Sequence, residues 1–128
     1  FRQKRSKLHL YQQANLDLQR ISNLYLKPED NQLLLLSLSS WLRQVCIIAY
    51  PDKPIAAITG RDWIELLDET MPENNFTQGI GKVFAGEIYS RQQVVDIDAI
   101  LSLCNAWLVS MQPQLLTSRQ VKHRSVSS

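Results

Sequence analysis

LLLLSLSSWLRQVCIIAY, residues 33–50, is the stretch on which the fold turns, because thirteen of its eighteen residues are apolar. That is apolar enough to raise a membrane span. Ser37, Ser39, Ser40, Arg43 and Gln44 argue against one. Arg43 at the centre of a bilayer would cost about 3 kcal/mol, whereas a water-soluble domain can turn it to solvent. The stretch therefore reads as the central buried helix, with Leu35, Leu38, Leu42, Val45 and Ala49 as one seam.

Working outward from it, Leu10, Ala14, Leu18, Ile21 and Tyr25 recur at helical steps and predict a first helix from about Lys4 to Leu26. Pro28, Glu29 and Asp30 form a helix start, so the first loop is short and the first two helices are antiparallel neighbours. Pro51 and Pro54 end the second helix. Thr59 and Asp62 have the spacing of a capping box, opening a third helix with Trp63, Ile64 and Leu67 on its buried face. Pro72 closes it. Residues 73–94 carry Gly79, Gly81 and Gly86 among isolated apolar residues and read as an ordered irregular loop with room for one short hairpin. A fourth helix runs from a cap at Asp96 to about Gln112, with Ile97, Leu101, Cys104, Leu108 and Met111 as its stripe, widened by Ile100, Leu103 and Trp107. The fold class is all-α: four main helices in a compact bundle, with a Gly-containing irregular loop between the third and fourth. The domain reads as residues 8–112, preceded by a basic segment at 1–7 and followed at 113–128 by a basic, Ser-rich tail expected to be disordered.

The 128 residues are 45% apolar, ordinary for one domain with a real core. The net charge of +2 hides an uneven distribution. Arg2, Lys4, Arg5 and Lys7 contribute +4 at one end, and Arg119, Lys122 and Arg124 contribute +3 at the other. Residues 8–118 hold seven basic and twelve acidic side chains, which leaves the body at −5. An acidic body argues against a nucleic-acid-binding domain, which gathers Lys and Arg on a folded face. A small helical nucleic-acid binder using the basic termini is the alternative function.

No arrangement of residues suggests catalysis or a cofactor. Gly79-Ile80-Gly81-Lys82 resembles a phosphate loop only superficially, because Phe76 and Val83 stand where a P-loop needs Gly and Ser or Thr. These glycines read as turn residues. Glu65, Asp68 and Glu69 on the third helix, and Asp96 and Asp98 near the fourth, read as a solvated face and a cap rather than as acid–base pairs. Cys46 and Cys104 read as buried free thiols, and with only His9 and His123 there is no metal-ligand spacing. Trp41, Trp63 and Trp107 fall on apolar stripes and read as core, with one of them available as an interface anchor. The Asn75-Phe76-Thr77 triplet fits a glycosylation sequon, a pattern common by chance.

From Arg43 to Trp107 a series of short motifs occurs in order: Arg43, Ala49-Tyr50-Pro51, Ile58-Thr59-Gly60, Trp63-Ile64, Leu67-Asp68, Gly79-Ile80-Gly81, Tyr89, Leu101, Leu103 and Trp107-Leu108. In this order the chain resembles a bacterial family of unknown function, encoded beside MoxR-type AAA+ ATPases and Bat-type von Willebrand factor A proteins. Ile88-Tyr89-Ser90 lacks the proline such a family carries beside the tyrosine. The resemblance implies a small single-pass membrane protein with one transmembrane helix directly before Phe1. Arg2, Lys4, Arg5 and Lys7 would then be the membrane-flanking residues. It also implies a cytoplasmic helical domain at the inner membrane, with the ATPase and the von Willebrand factor A proteins as partners. It implies no catalytic residue, cofactor or metal.

Overall fold

The computed structural model describes residues 2–86 and 95–116, with side chains from His9 onward. Four α-helices carry the architecture: α1 (Arg2–Leu24), α2 (Asn31–Ala49), α3 (Gly60–Asp68) and α4 (Ile97–Ser110). Short 3₁₀ segments at Pro28–Asp30, Ile55–Ala57 and Ile80–Ala85 punctuate the connections, and no strand occurs among the described residues. The all-α expectation holds. Residues 73–86 contain the third 3₁₀ segment and no hairpin; 87–94 lie outside the described residues.

α1 and α2 form an antiparallel pair joined by the Pro28 turn, where proline's fixed φ suits a first helical turn. All five seam residues of α2 are buried, together with Leu34, Trp41 and Cys46. Pro28–Ala49 is long and apolar enough to cross a membrane, yet 44% of its apolar window is buried inside this domain. Leu33, Ile47 and Ile48 remain exposed on it. Arg43 does not turn to water as the sequence suggested. Its guanidinium donates to the carbonyls of Ile55 (2.7 Å) and Ile58 (2.8 Å) and lies 4.3 Å from the centre of the Trp63 ring. A planar, multiply donating cation can satisfy two loop carbonyls and an aromatic face at once.

Two indoles join the layers. Trp41 of α2 donates to the Ala14 carbonyl of α1 (2.9 Å), and Trp107 of α4 donates to the Leu67 carbonyl of α3 (3.1 Å). The two rings meet edge to face, with centroids 5.5 Å apart at 72°. These two indoles thus pair their N–H groups while filling the volume where the helices converge.

α4 begins with Asp96 as its N-cap, the carboxylate accepting from the Ala99 N–H at 3.1 Å, as its sequence position suggested. At the far end α4 stops at Ser110, close to the expected boundary at Gln112, but the segment read as a tail begins with a further helical stretch. Backbone at 112–116 is helical, the Leu115 N–H donates to the Met111 carbonyl, and Leu115 is buried. Proline is tolerated in a first turn, so Pro113 continues the helical course. Residues 117–128 lie outside the described residues.

Leu42 is wholly inaccessible while Leu33, on the same helix, is 51% exposed. Leu42→Ala should lower unfolding stability by about 2–5 kcal/mol, and Leu33→Ala by well under about 1 kcal/mol, in urea titrations followed by circular dichroism. Equal effects would show that α2 is not packed in this register.

Candidate functional site

The densest polar chemistry in the described residues surrounds Asp68, the last residue of α3. A carboxylate there meets the negative end of the helix dipole, so another interaction must hold it. Three donors do so. The backbone N–H of Phe76 (2.9 Å), the backbone N–H of Thr77 (2.9 Å) and the Thr77 hydroxyl (2.7 Å) all converge on its two oxygens. Asp68 is buried, which overturns its reading as part of a solvated acidic face. Among neighbouring carboxylates, Asp62, Glu65 and Glu69 are exposed, and Glu65 pairs with Arg61 at 3.0 Å.

The clamp fixes the first turn of the loop, and apolar packing fixes the remainder. Phe76, Val83 and Phe84 are buried, with the two phenyl rings 6.3 Å apart. Glycine is required at two places. A Cβ at Gly79 would stand 2.8 Å from the Asn75 carbonyl oxygen, and one at Gly81 would stand 2.6 Å from Phe76 Cδ1. The Gly81 N–H uses the space to donate to the Asn75 carbonyl at 3.0 Å. The Gly79-Ile80-Gly81-Lys82 stretch is thus a close-packed turn, as its failed P-loop spacing implied.

The other family-motif residues also face inward or shape turns. Gly60 opens α3 at φ +58°, a left-handed conformation that a side chain would strain. Thr59 occupies the N-cap position but its side chain makes no capping bond, so the expected capping box with Asp62 does not form. Trp63 is buried under the Arg43 guanidinium with its indole N–H unpartnered. The Tyr50 hydroxyl lies 3.8 Å from Met111 Sδ, and Thr70 donates to the same sulfur at 3.5 Å. Burial, reinforced by Cys46 and Glu69, pushes the Tyr50 phenol well above its ordinary range. Pro51 is exposed at the turn after α2. Tyr89 lies outside the described residues, as do the side chains of Arg2, Lys4, Arg5 and Lys7, whose backbone forms the start of α1.

Cys46 and Cys104 are buried free thiols, and burial raises both to about 12. His9 is exposed and His123 lies outside the described residues. Among the described residues no group of three or more His, Cys, Asp or Glu side chains could hold a metal ion. Asp68 and Arg43 stand out as organising residues only once the chain is folded. An acidic side chain at a helix C-terminus, followed by a proline-terminated turn, was the available signal for Asp68.

Comparison with known families bears on the whole helical body. The family model described as a domain of unknown function, DUF4381, matches residues 1–110. The chain belongs to that family. The match runs from the basic start of α1 to the end of α4, so the DUF4381 unit and the four-helix architecture coincide. No curated protein and no solved structure matches.

Asp68→Ala would leave three donors without their acceptor and should cost roughly 2–4 kcal/mol, with Asp68→Asn costing less; loss of hydrogen-exchange protection at Phe76 and Thr77 would localise the effect. For the cysteines, the folded thiols titrate near 12 while the unfolded ones titrate near 9, so the folded state holds more protons between those values. Stability should therefore be unaffected below about pH 8 and fall as pH rises above about 9. Iodoacetamide at about pH 8 should leave both thiols unmodified until the chain is unfolded. Rapid labelling of the native chain would contradict their burial.

Proposed function

We propose that this chain is a non-enzymatic interaction domain, an adaptor or scaffold, of a membrane-anchored bacterial protein. It works with a MoxR-type AAA+ ATPase and von Willebrand factor A proteins in a chaperone or complex-assembly role. The observation that supports this reading is where the motif residues spend their functional groups. The Asp68 carboxylate, the Arg43 guanidinium and the Trp107 indole N–H all bind this chain's own backbone. Residues committed in this way build a shape for recognition. The partner set rests on the sequence resemblance.

The proposed setting is the cytoplasmic face of the inner membrane, with an apolar helix N-terminal to this chain. Arg2, Lys4, Arg5 and Lys7 are what the positive-inside rule expects at such a boundary, and anionic headgroups attract each by about 1 kcal/mol near the surface. α2 contributes to this domain's core, so in this reading the anchor is a separate helix.

The test is co-purification of the full-length protein from detergent-solubilised membranes of its native cell after mild cross-linking. The ATPase and von Willebrand factor A proteins should be recovered with it, from the membrane fraction. Recovery from the soluble fraction without them would refute the proposal. A sequence-specific DNA mobility shift at physiological salt would favour nucleic-acid binding instead.

A further inference from the structure

Exposed apolar side chains gather at one end of the α1–α2 pair. Leu24, Leu26 and Leu33 are 63%, 77% and 51% exposed, and Leu26 is the most exposed large apolar side chain among the described residues. A short helix connection is ordinarily built from polar and turn-forming residues, so three exposed leucines around one are a feature to explain. Leu26, but neither Leu24 nor Leu33, also lines an open groove of about 420 Å³ between this connection and the start of α4. Tyr25, Leu26, Val95, Ile97 and Leu101 supply its apolar lining, and Asp96 and Asp98 supply its charge. Glu29 and Asp30 follow Pro28 in the adjoining 3₁₀ turn, next to Lys27, and none of these three is part of the groove's lining.

We propose that this groove docks a short amphipathic segment of a partner protein, with aliphatic side chains entering between Leu26 and Ile97 and with Lys or Arg flanking them. The proposal deepens the interaction-domain reading and rests on it. Apolar contact supplies the affinity, and the carboxylates select the sign of the partner's charge. Charge also decides against a lipid surface, because Asp96 and Asp98, the two charged residues of the lining, repel anionic headgroups. Position agrees. The groove adjoins the C-terminal end of α1, which at 23 residues extends about 35 Å from the basic residues at its start.

The experiment is methyl NMR of the 128-residue chain titrated with three short helical peptides that share a leucine stripe and differ only in their flanking residues: lysine, glutamate or serine. The lysine peptide should shift the methyls of Leu26, Val95, Ile97 and Leu101 saturably. It should bind at least about tenfold more tightly than the glutamate peptide, a preference that weakens with salt. Leu26→Ser and Asp98→Asn, both at exposed positions, should each weaken it several-fold while the rest of the spectrum stays unchanged. No saturable binding, or equal binding of the lysine and glutamate peptides, overturns the proposal. So do equivalent shifts at these methyls on adding phosphatidylglycerol vesicles. Saturable shifts on another face, such as α3, would reject the groove while leaving the interaction-domain reading intact. Groove binding by the lysine peptide with failed co-purification of the ATPase would reject the partner set and keep the groove.

Discussion

The contact between Trp41 and Trp107 is the constraint that makes four helices into one body. Each indole carries a single polar atom, and each resolves it by reaching across to the backbone of a different helix: Trp41 to Ala14, Trp107 to Leu67. The rings then meet at 72°, placing the positive edge of one against the negative face of the other. α1 is tied to α2, α3 to α4, and the two pairs to each other through this contact. A smaller apolar side chain at either position would leave a void and also free a helix from its neighbour.

Around that centre, polar side chains are spent on connections. Arg43 gathers the carbonyls between α2 and α3, and Asp68 gathers the N–H groups after α3. The two groups are complementary in sign and in role. Loops cannot satisfy their own backbone when they pack against a core, so a cation serves where carbonyls point inward and a carboxylate where N–H groups do. The irregular stretch from 73 to 86 is ordered for this reason, with Phe76 and Phe84 adding apolar contact. The outer surface keeps the remaining carboxylates and the exposed leucines, which is where recognition by another molecule would have to occur.

Much of the fold is legible in the residues because helical periodicity records which side faces the core. The seam of α2, the burial of all three tryptophans, the cap at Asp96 and the free state of Cys46 and Cys104 agree with spacing and residue type, as do Cys104, Leu108 and Met111 of the α4 stripe, whereas Ile97 and Leu101 of that stripe are only half-buried. Arg43 and Asp68 escape such a reading because a charge's environment is set by partners distant in sequence. Arg43 finds its acceptors twelve and fifteen residues on, and Asp68 its donors eight and nine residues on. Spacing along the chain marks neither set of partners, and for Asp68 the one local trace is an acidic residue at a helix end ahead of Pro72. Pro113 reads as a stop because proline usually is one, while the burial of Leu115 draws the chain onward.

An all-α chain with an acidic body, basic ends, and a second helix too apolar to stand alone in water follows from residue order alone. These are sums and periods of local properties, and they do not depend on how the helices meet. Tertiary structure decided which helix pairs with which, where Arg43 and Asp68 find partners, and that three leucines near the α1–α2 connection stay exposed, of which Leu26 lines a groove with Asp96 and Asp98. That division has one physical cause. Periodicity is written along the chain, whereas hydrogen-bond satisfaction and surface exposure depend on groups brought together only by folding.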